Sequence, residues 1–416
     1  MTPVGRLPPQ KWLRAVNTRQ VVAALSAEGG DVRFVGGCVR DALVGRPVKD
    51  VDIATHLPPD QVMRLLQAAG IKAVPTGLAH GTVTAVAGGQ PFEVTTLRED
   101  VETYGRRAKV AFTDDWTADA GRRDFTFNAL SCAPDGTLYD PFGGIADLRA
   151  GRVRFVGDAR ARIEEDYLRL LRLFRFQAHY GRKPIEPAVL AIARETAPML
   201  RQLSGERVQT ELLKLLAAPD PTPVVASMIE HSVLVEALPV TGTADVLRAL
   251  LRAEDKDAAV DPLLRLAALI EPRRTAAETV VERLRLSRRQ HFALVYWLAP
   301  PIDPGKDVPA RERRRAARKL GAAIYGKLLR LDWARKSAGK PRARPGARLA
   351  AALAEGDRLA GLSFPVHGRD VLALGVPEGP ALGDLLDQVE DWWAERDFRP
   401  TRRECLRHLK ALASTG

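Results

Sequence analysis

Cysteine is scarce in this 416-residue chain, and Cys38, Cys132 and Cys405 stand far apart. No two of them have zinc-site spacing and three cannot build a disulfide framework, so the fold must be held by its core. No apolar run is long enough to cross a bilayer, and the first residues lack a hydrophobic leader segment. Those two absences predict a soluble, cytoplasmic protein with no membrane partner. No segment recurs at a fixed period, which excludes a solenoid. Acidic residues are in deficit: 63 Lys and Arg face 51 Asp and Glu, a net charge of +12. Such an excess points to a polyanionic partner. The apolar content, 46%, is ordinary, and the length allows two or more domains with ample cores.

The densest chemical signal lies near the N-terminus. An apolar run from Val32 to Val35 predicts a strand that delivers the chain into Gly36-Gly37-Cys38-Val39-Arg40-Asp41. Glycines at Gly36 and Gly37 let backbone N–H groups approach a phosphate, and Arg40 adds a charged fork. The run Lys49-Asp50-Val51-Asp52-Ile53-Ala54 reads as a strand with Asp50 and Asp52 on one face. Adjacent carboxylates repel unless a cation lies between them. Beside phosphates that cation is expected to be Mg²⁺, which shares oxygen ligands with substrate phosphates. A Gly turn followed by a solvated acidic edge is the competing reading.

Further along, Gly77 to Val86 and Phe92 to Arg98 alternate like a hairpin turned by Gly88-Gly89, with Glu93 on the second strand. Leu168, Leu171, Phe174 and Phe176 recur at helical spacing, predicting one amphipathic helix across Glu164–Phe176 on which Asp166 and Arg169 share a face. Ser204 is the expected N-cap of a helix running to Leu216. Trp12 to Ala27 reads as a single helix, and 102–119 has no clean period. Prolines at 219, 221 and 223 mark one boundary, and Pro300-Pro301 with Pro304-Gly305 a second. Between Lys306 and Arg348 there are 15 Lys and Arg but 3 Asp and Glu, a local excess of 12 that equals that of the whole chain. Within it Arg311, Arg313, Arg314, Arg315, Arg342 and Arg344 are candidate RNA phosphate contacts, the alternative being a solvated basic face.

Taken together, Gly-Gly-x-Val-Arg-Asp followed by Asp-x-Asp resembles the head of polymerase-β-like nucleotidyltransferases, and more closely the class II tRNA nucleotidyltransferase and bacterial poly(A) polymerase family. Four later segments match in order: the Gly77–Arg98 pair, Arg122-Arg123-Asp124-Phe125-Thr126-Phe127-Asn128, Asp140-Pro141-Phe142-Gly143-Gly144, and Glu164-Glu165-Asp166-x-x-Arg169. The resemblance is strong over about 30–215 and weak beyond. It implies an α+β protein: a head with a small mixed sheet (1–150), then an all-α neck that recognises the base (151–218), a helical body (219–300) and a basic tail that binds tRNA (301–416). It assigns Asp50, Asp52 and Glu93 to catalysis, the first two as Mg²⁺ ligands. Gly36, Gly37, Arg40, Arg123, Asp124, Asp166, Arg169, Arg172 and Arg175 fall to the nucleotide, with Asn128 in support. The Asp140–Gly144 segment is implied to be a hinge between head and neck, 102–119 the flexible loop tied to the final A addition, and His367 structural.

The family's Asp-x-x-Arg pair fits two bases. Cytosine and adenine both present an amino donor beside an unprotonated ring nitrogen, so a carboxylate accepts from one while a guanidinium donates to the other. Uracil and guanine present the reverse order and leave buried groups facing their like. The expected function is therefore addition of CCA to the tRNA 3′ end from CTP and ATP, without a nucleic-acid template and with no protein partner implied. Poly(A) polymerase and a CC-adding enzyme share these motifs. Against the first stands His80-Gly81-Thr82-Val83, where that branch shows a basic run; against the second, the full-length 102–119 segment. An RNA-binding protein with an inactive head is the non-enzyme alternative, and both Asp50 and Asp52 argue against it. No His is followed by Asp, so the family's phosphohydrolase extension is not visible.

Overall fold

The computed structural model describes residues 1–104, 107–238, 242–255, 257–300 and 310–414. The chain divides into two compact units, Met1–Ala237 and Leu238–Gly416. The proline cluster near 219–223 opens a helix, Thr222–Glu230, that belongs to the first unit and packs against the long helix Leu168–Tyr180.

Ten strands lie in the first unit: β1 (Pro3–Arg6), β2 (Val32–Val35), β3 (Asp52–Thr55), β4 (Lys72–Gly77), β5 (Thr82–Ala87), β6 (Gln90–Thr96), β7 (Arg98–Tyr104), β8 (Arg107–Phe112), β9 (Ser131–Cys132) and β10 (Thr137–Tyr139). Eight form a mixed sheet in the order β1-β10-β9-β2-β3-β6-β5-β4, and β7 pairs with β8 as a separate ribbon. Every neighbouring pair in the large sheet is antiparallel except β3 and β6. Their parallel register sets Ile53 beside Val94 and Asp52 beside Glu93. Because strand side chains alternate, these pairs face opposite sides of the sheet. Ile53 and Val94 enter a core with Phe34, Val83 and Phe92, covered by helices Val16–Ser26 and Pro59–Ala68. Asp52 and Glu93 therefore point away from that core, on the side where Val35, Ala54, Leu97 and Trp116 form a smaller cluster.

The β5–β6 hairpin turns at Gly88 and Gly89, both at positive φ (55° and 78°), the left-handed pair such a tight turn requires. Three sequence expectations are corrected. Trp12–Ala27 is two helices, Lys11–Arg14 and Val16–Ser26, separated at Ala15, whose ψ of 140° is extended. Of the stretch 102–119, expected to lack a regular element, the described residues include the end of β7 up to Tyr104, β8 from Arg107, and the start of helix Trp116–Gly121. Finally, Glu164–Phe176 is broken into helices Ala159–Glu165 and Leu168–Tyr180.

The regular elements of the second unit, among its described residues, are all helices, from Ala244–Ala253 to Arg402–Ala413. Its core gathers Tyr325, Leu329, Leu359, Val389, Trp393, Cys405 and Leu409. The long segment Ala310–Lys336 bends at Gly321, where φ is 75°. Of the boundary expected at Pro300-Pro301 and Pro304-Gly305, all but Pro300 lies outside the described residues.

Candidate active site

A cleft of about 970 Å³ opens in the first unit, and ten Lys and Arg line it against four Asp. So strong an excess of cations in one concavity suits a polyanion, whose phosphate oxygens would find charged donors there.

Its floor is the β2 turn. Gly36 has φ 68°, and a Cβ there would stand 3.1 Å from a guanidinium nitrogen of Arg123 and 3.7 Å from the Asn128 carbonyl. Gly37 opens the short helix Gly37–Leu43, which carries Arg40 into the cleft. Arg40 donates to Asn128 Oδ1 at 2.6 Å, and Asn128 Nδ2 donates to Asp124 Oδ1 at 2.9 Å. Asp124 Oδ2 in turn accepts from Arg172 Nε at 2.6 Å. Burial alone would raise the Asp124 carboxyl, but Arg172 and the bond from Asn128 hold it below the usual carboxylate range. Asn128 thus bridges Arg40 and Asp124 and also lines the cleft.

A second buried acid, Asp119, orients the neighbouring arginines in the same manner. It is nearly fully buried and accepts from Arg122 (2.7 and 2.9 Å) and Arg123 (3.1 Å), so both guanidinia are aimed from a single carboxylate. Burial pushes Asp119 up, and the two arginines more than reverse this.

Asp52 is largely withdrawn from solvent. Burial first, then the charge of Glu93, pushes its carboxyl up to about 6, with Asp50 adding to the rise and Arg123 and Arg40 opposing it. The strand begins only at Asp52, so Asp50 is exposed in the segment before it and not on the same strand face. Glu93 is exposed on β6 at the register position of Asp52. Among the described residues no three His, Cys, Asp or Glu side chains gather as a ready-made metal cluster. What the sheet does build is an acidic pair whose mutual repulsion a cation would relieve, and oxygen-only donors suit a hard divalent ion.

Asp166 and Arg169 both line the cleft, but not from one helix. Asp166 ends the helix Ala159–Glu165 in an extended conformation (φ −155°, ψ 105°), and its Oδ1 accepts from Leu168 N at 3.1 Å. A short polar side chain that bonds the nearby backbone competes with the helix, and here it wins. Its Oδ2 accepts from Arg207 at 2.6 Å. Arg169 pairs with Glu165 and donates to the Arg162 carbonyl at 3.1 Å.

Several cleft residues carried no signal as a motif. Arg207 and Lys214 line it from helix Gly205–Leu216, and Glu211 lies buried between them. Glu211 stands 3.0 Å from Arg175 and 3.8 Å from Arg172. Positions 207, 211 and 214 fall on one helix face, and that spacing is the signal that could have found them. Ser204 holds the N-cap position without a side-chain cap bond. Tyr180 donates to Asp41 at 2.5 Å and lies under Arg40 and Arg46.

Asp140 caps the helix Gly144–Ala150 through Gly144 N and Ile145 N (2.7 and 2.9 Å). A Cβ on Gly144 would come within 2.2 Å of the Thr126 carbonyl. Close packing therefore accounts for that glycine.

In the second unit Arg314 pairs with Asp397, Arg315 with Asp391, and Arg318 with Glu390 at 2.8 Å. Arg342 and Arg344 are exposed. The side chains of Arg311 and Arg313 lie outside those described. His367 holds the N-cap position of the helix Gly368–Leu372, and its backbone N–H donates to Asp370 at 2.8 Å.

Comparison with known proteins identifies the family of the chain. Residues 32–154 match the family model of the poly A polymerase head domain, and 184–243 that of the probable RNA and SrmB-binding site of polymerase A. Over 400 residues the chain is 34% identical to the mitochondrial CCA tRNA nucleotidyltransferase 1 of Danio rerio, covering 91% of this chain and 87% of that one. The chain belongs to the CCA tRNA nucleotidyltransferase family. Another member, the CCA-adding enzyme of Geobacillus stearothermophilus, is 41% identical over 201 residues, 48% of each chain. The solved Bacillus stearothermophilus CCA-adding enzyme in complex with CTP superposes with a TM-score of 0.76 at 26% identity, covering 98% of this chain and 99% of that one. The polymerase-β-like head followed by helices is thus the nucleotidyltransferase fold. Among the described residues no helix is long and apolar enough to cross a membrane.

Proposed function

We infer that this chain adds C, C and A to the 3′ end of tRNA from CTP and ATP without a nucleic-acid template, releasing pyrophosphate at each step. The observation that carries the reading is the cleft itself, in which the Gly36 turn, the acidic edge at Asp52 and the Asp166/Arg169 pair line one cationic cavity. Poly(A) polymerase shares the head, but the relatives matched over most of the chain are named for CCA addition.

Within this reading each group has a task. Gly36 and Gly37 let the backbone approach the triphosphate, and Arg40, Arg123, Arg172 and Arg175 balance its charge. Asp124, held by Arg172 and Asn128, accepts in this reading from a ribose hydroxyl and so favours ribonucleotides. Asp166 accepts from the exocyclic amino group of cytosine or adenine while Arg169 donates to the ring nitrogen. The 3′-hydroxyl of the RNA attacks the α-phosphate, and the bond from that phosphorus to the bridging oxygen breaks.

Family membership implies a divalent metal; we propose Mg²⁺, held by Asp52 and Asp50 with Glu93 alongside. Bound there, it would neutralise phosphate charge and ease deprotonation of the attacking hydroxyl. The exposed Arg342 and Arg344 are proposed to meet RNA phosphates, whereas Arg314 and Arg315 already balance acids of their own unit. A cytoplasmic place of work belongs to the proposal, and cell fractionation decides it against the mitochondrial location in some relatives' names. Asp52→Ala tests the catalytic assignment: transfer is expected to vanish with tRNA binding retained, and full-rate transfer would refute it.

A further inference from the structure

Outside the cleft, one helix of the second unit has a solvent face that its own fold does not explain. In Arg288–Leu298 the side chains of Leu294, Val295, Trp297 and Leu298 are buried. The opposite face carries Arg288, Phe292 and Tyr296 at successive fourth positions, with Arg289 three before Phe292. Phe292 is 49% exposed, and its ring centroid is 4.2 Å from that of Tyr296, with the planes inclined by 40°. Arg285, Arg288 and Arg289 are exposed, and none has an ion-pair or hydrogen-bonding side-chain partner among the described residues. The helix contains no acid at all. Arg288 and Arg289 stand in the first turn and oppose the helix dipole, so they do not serve the helix itself, whereas Arg285 is the C-cap residue of the preceding helix Arg274–Leu284.

We propose that this face is a stacking platform for an unpaired nucleobase of the RNA: Phe292 and Tyr296 take the base, and Arg285, Arg288 and Arg289 hold adjoining phosphates. The proposal rests on the tRNA reading above and extends it beyond the segments that the family models cover. A lone exposed aromatic needs no explanation, but a paired one rimmed by unbalanced cations does. RNA satisfies both halves at once, since every base offers a π-face and every linkage a phosphate. An apolar protein surface would cover the rings and leave three cations desolvated and unpaired. Charge complementarity therefore selects RNA over a second copy of this chain.

The test is titration of the intact protein with tRNA lacking its CCA end, at several salt concentrations, by fluorescence anisotropy. Phe292→Ala with Tyr296→Ala is expected to weaken binding about 5- to 100-fold with an unchanged salt slope. Phe292→Trp should keep wild-type affinity, since a larger ring still stacks. Arg288→Gln with Arg289→Gln should instead lower the slope of log K against log salt by about 1.5 to 2. At saturating tRNA the turnover of all variants stays at the wild-type rate, with the loss confined to the KM for tRNA. Affinities within twofold of wild type for both double variants overturn the platform while leaving the tRNA reading intact. A wild-type protein that does not bind tRNA overturns both. Loss of a concentration-dependent dimer in the aromatic variant, with RNA affinity unchanged, would assign the face to a second copy and so overturn the proposal.

Discussion

Replacing Glu211 by Gln isolates the charge balance of the cleft. The side chain keeps its shape and loses only its charge, at a site where it is 4% exposed and stands 3.0 Å from Arg175 and 3.8 Å from Arg172. Removing one member of a fully buried ion pair costs about 3–5 kcal/mol, because the other charge is left uncompensated. Here Arg172 is about a third exposed to the cleft and water screens some of its charge, so the expected cost is about 2 kcal/mol. For a unit of this size that lowers Tm by roughly 4–8 °C. Nucleotide binding should act in the opposite direction. A triphosphate in the cleft supplies the missing negative charge, so added CTP should stabilise Glu211→Gln more than it stabilises the wild type. The assay is thermal unfolding of both proteins with and without saturating CTP. An unchanged Tm for the nucleotide-free variant, or a CTP shift no larger than that of wild type, would refute the view that Glu211 is the resident counter-charge for Arg172 and Arg175.

Other expectations follow from neighbouring residues. Asp119 and Asp124 titrate below the usual 3.8 in the folded chain. The folded state therefore binds their protons less tightly than the unfolded state does, and their stabilisation is full above about pH 4 and lost as the pH falls below it. Asp119→Asn should flatten this acid limb in a pH series of melts, and a limb as steep as that of wild type would count against the assignment. Gly144→Ala should destabilise by about 1–3 kcal/mol or more, since the added methyl meets backbone that cannot yield. Gly143→Ala, at φ 75° with its nearest contact 3.5 Å away, should cost only about 1 kcal/mol. Equal Tm losses for the two would contradict the packing account. Arg169→Ala should raise misincorporation of UTP in competition assays more than it weakens tRNA binding, and unchanged selectivity would remove Arg169 from base reading.

The regions of the fold that the sequence announces are those where one physical rule acts alone. Val32–Val35 leads into a turn that only glycine can make, and β5 and β6 alternate around Gly88-Gly89, so both were readable. The helix Gly205–Leu216 begins directly after Ser204, the position expected as its N-cap, and ends at Leu216 as expected. Reading failed where two rules compete. Apolar residues continue at helical spacing through Asp166, but the carboxylate captures the Leu168 N–H and breaks the helix. Arg98–Tyr104 is mostly polar, and a two-stranded ribbon outside the main sheet imposes no apolar alternation to detect. In the candidate site the motif residues were visible because their spacing is unusual. Glu211 and Asp119 were not, because a single buried acid on a helix looks like any surface acid until the fold surrounds it with arginines. In the basic tail the pairing of Arg314 with Asp397 and of Arg315 with Asp391 was equally invisible, because those partners are distant in sequence.

CCA addition by this chain is tested most directly by primer extension with Mg²⁺, CTP and ATP on a tRNA that ends at its discriminator base, with unstructured RNA as the control. Growth by C, C and A followed by arrest, on tRNA and not on the control, is the predicted result. A long A tail on either RNA, or no extension at all, would contradict it.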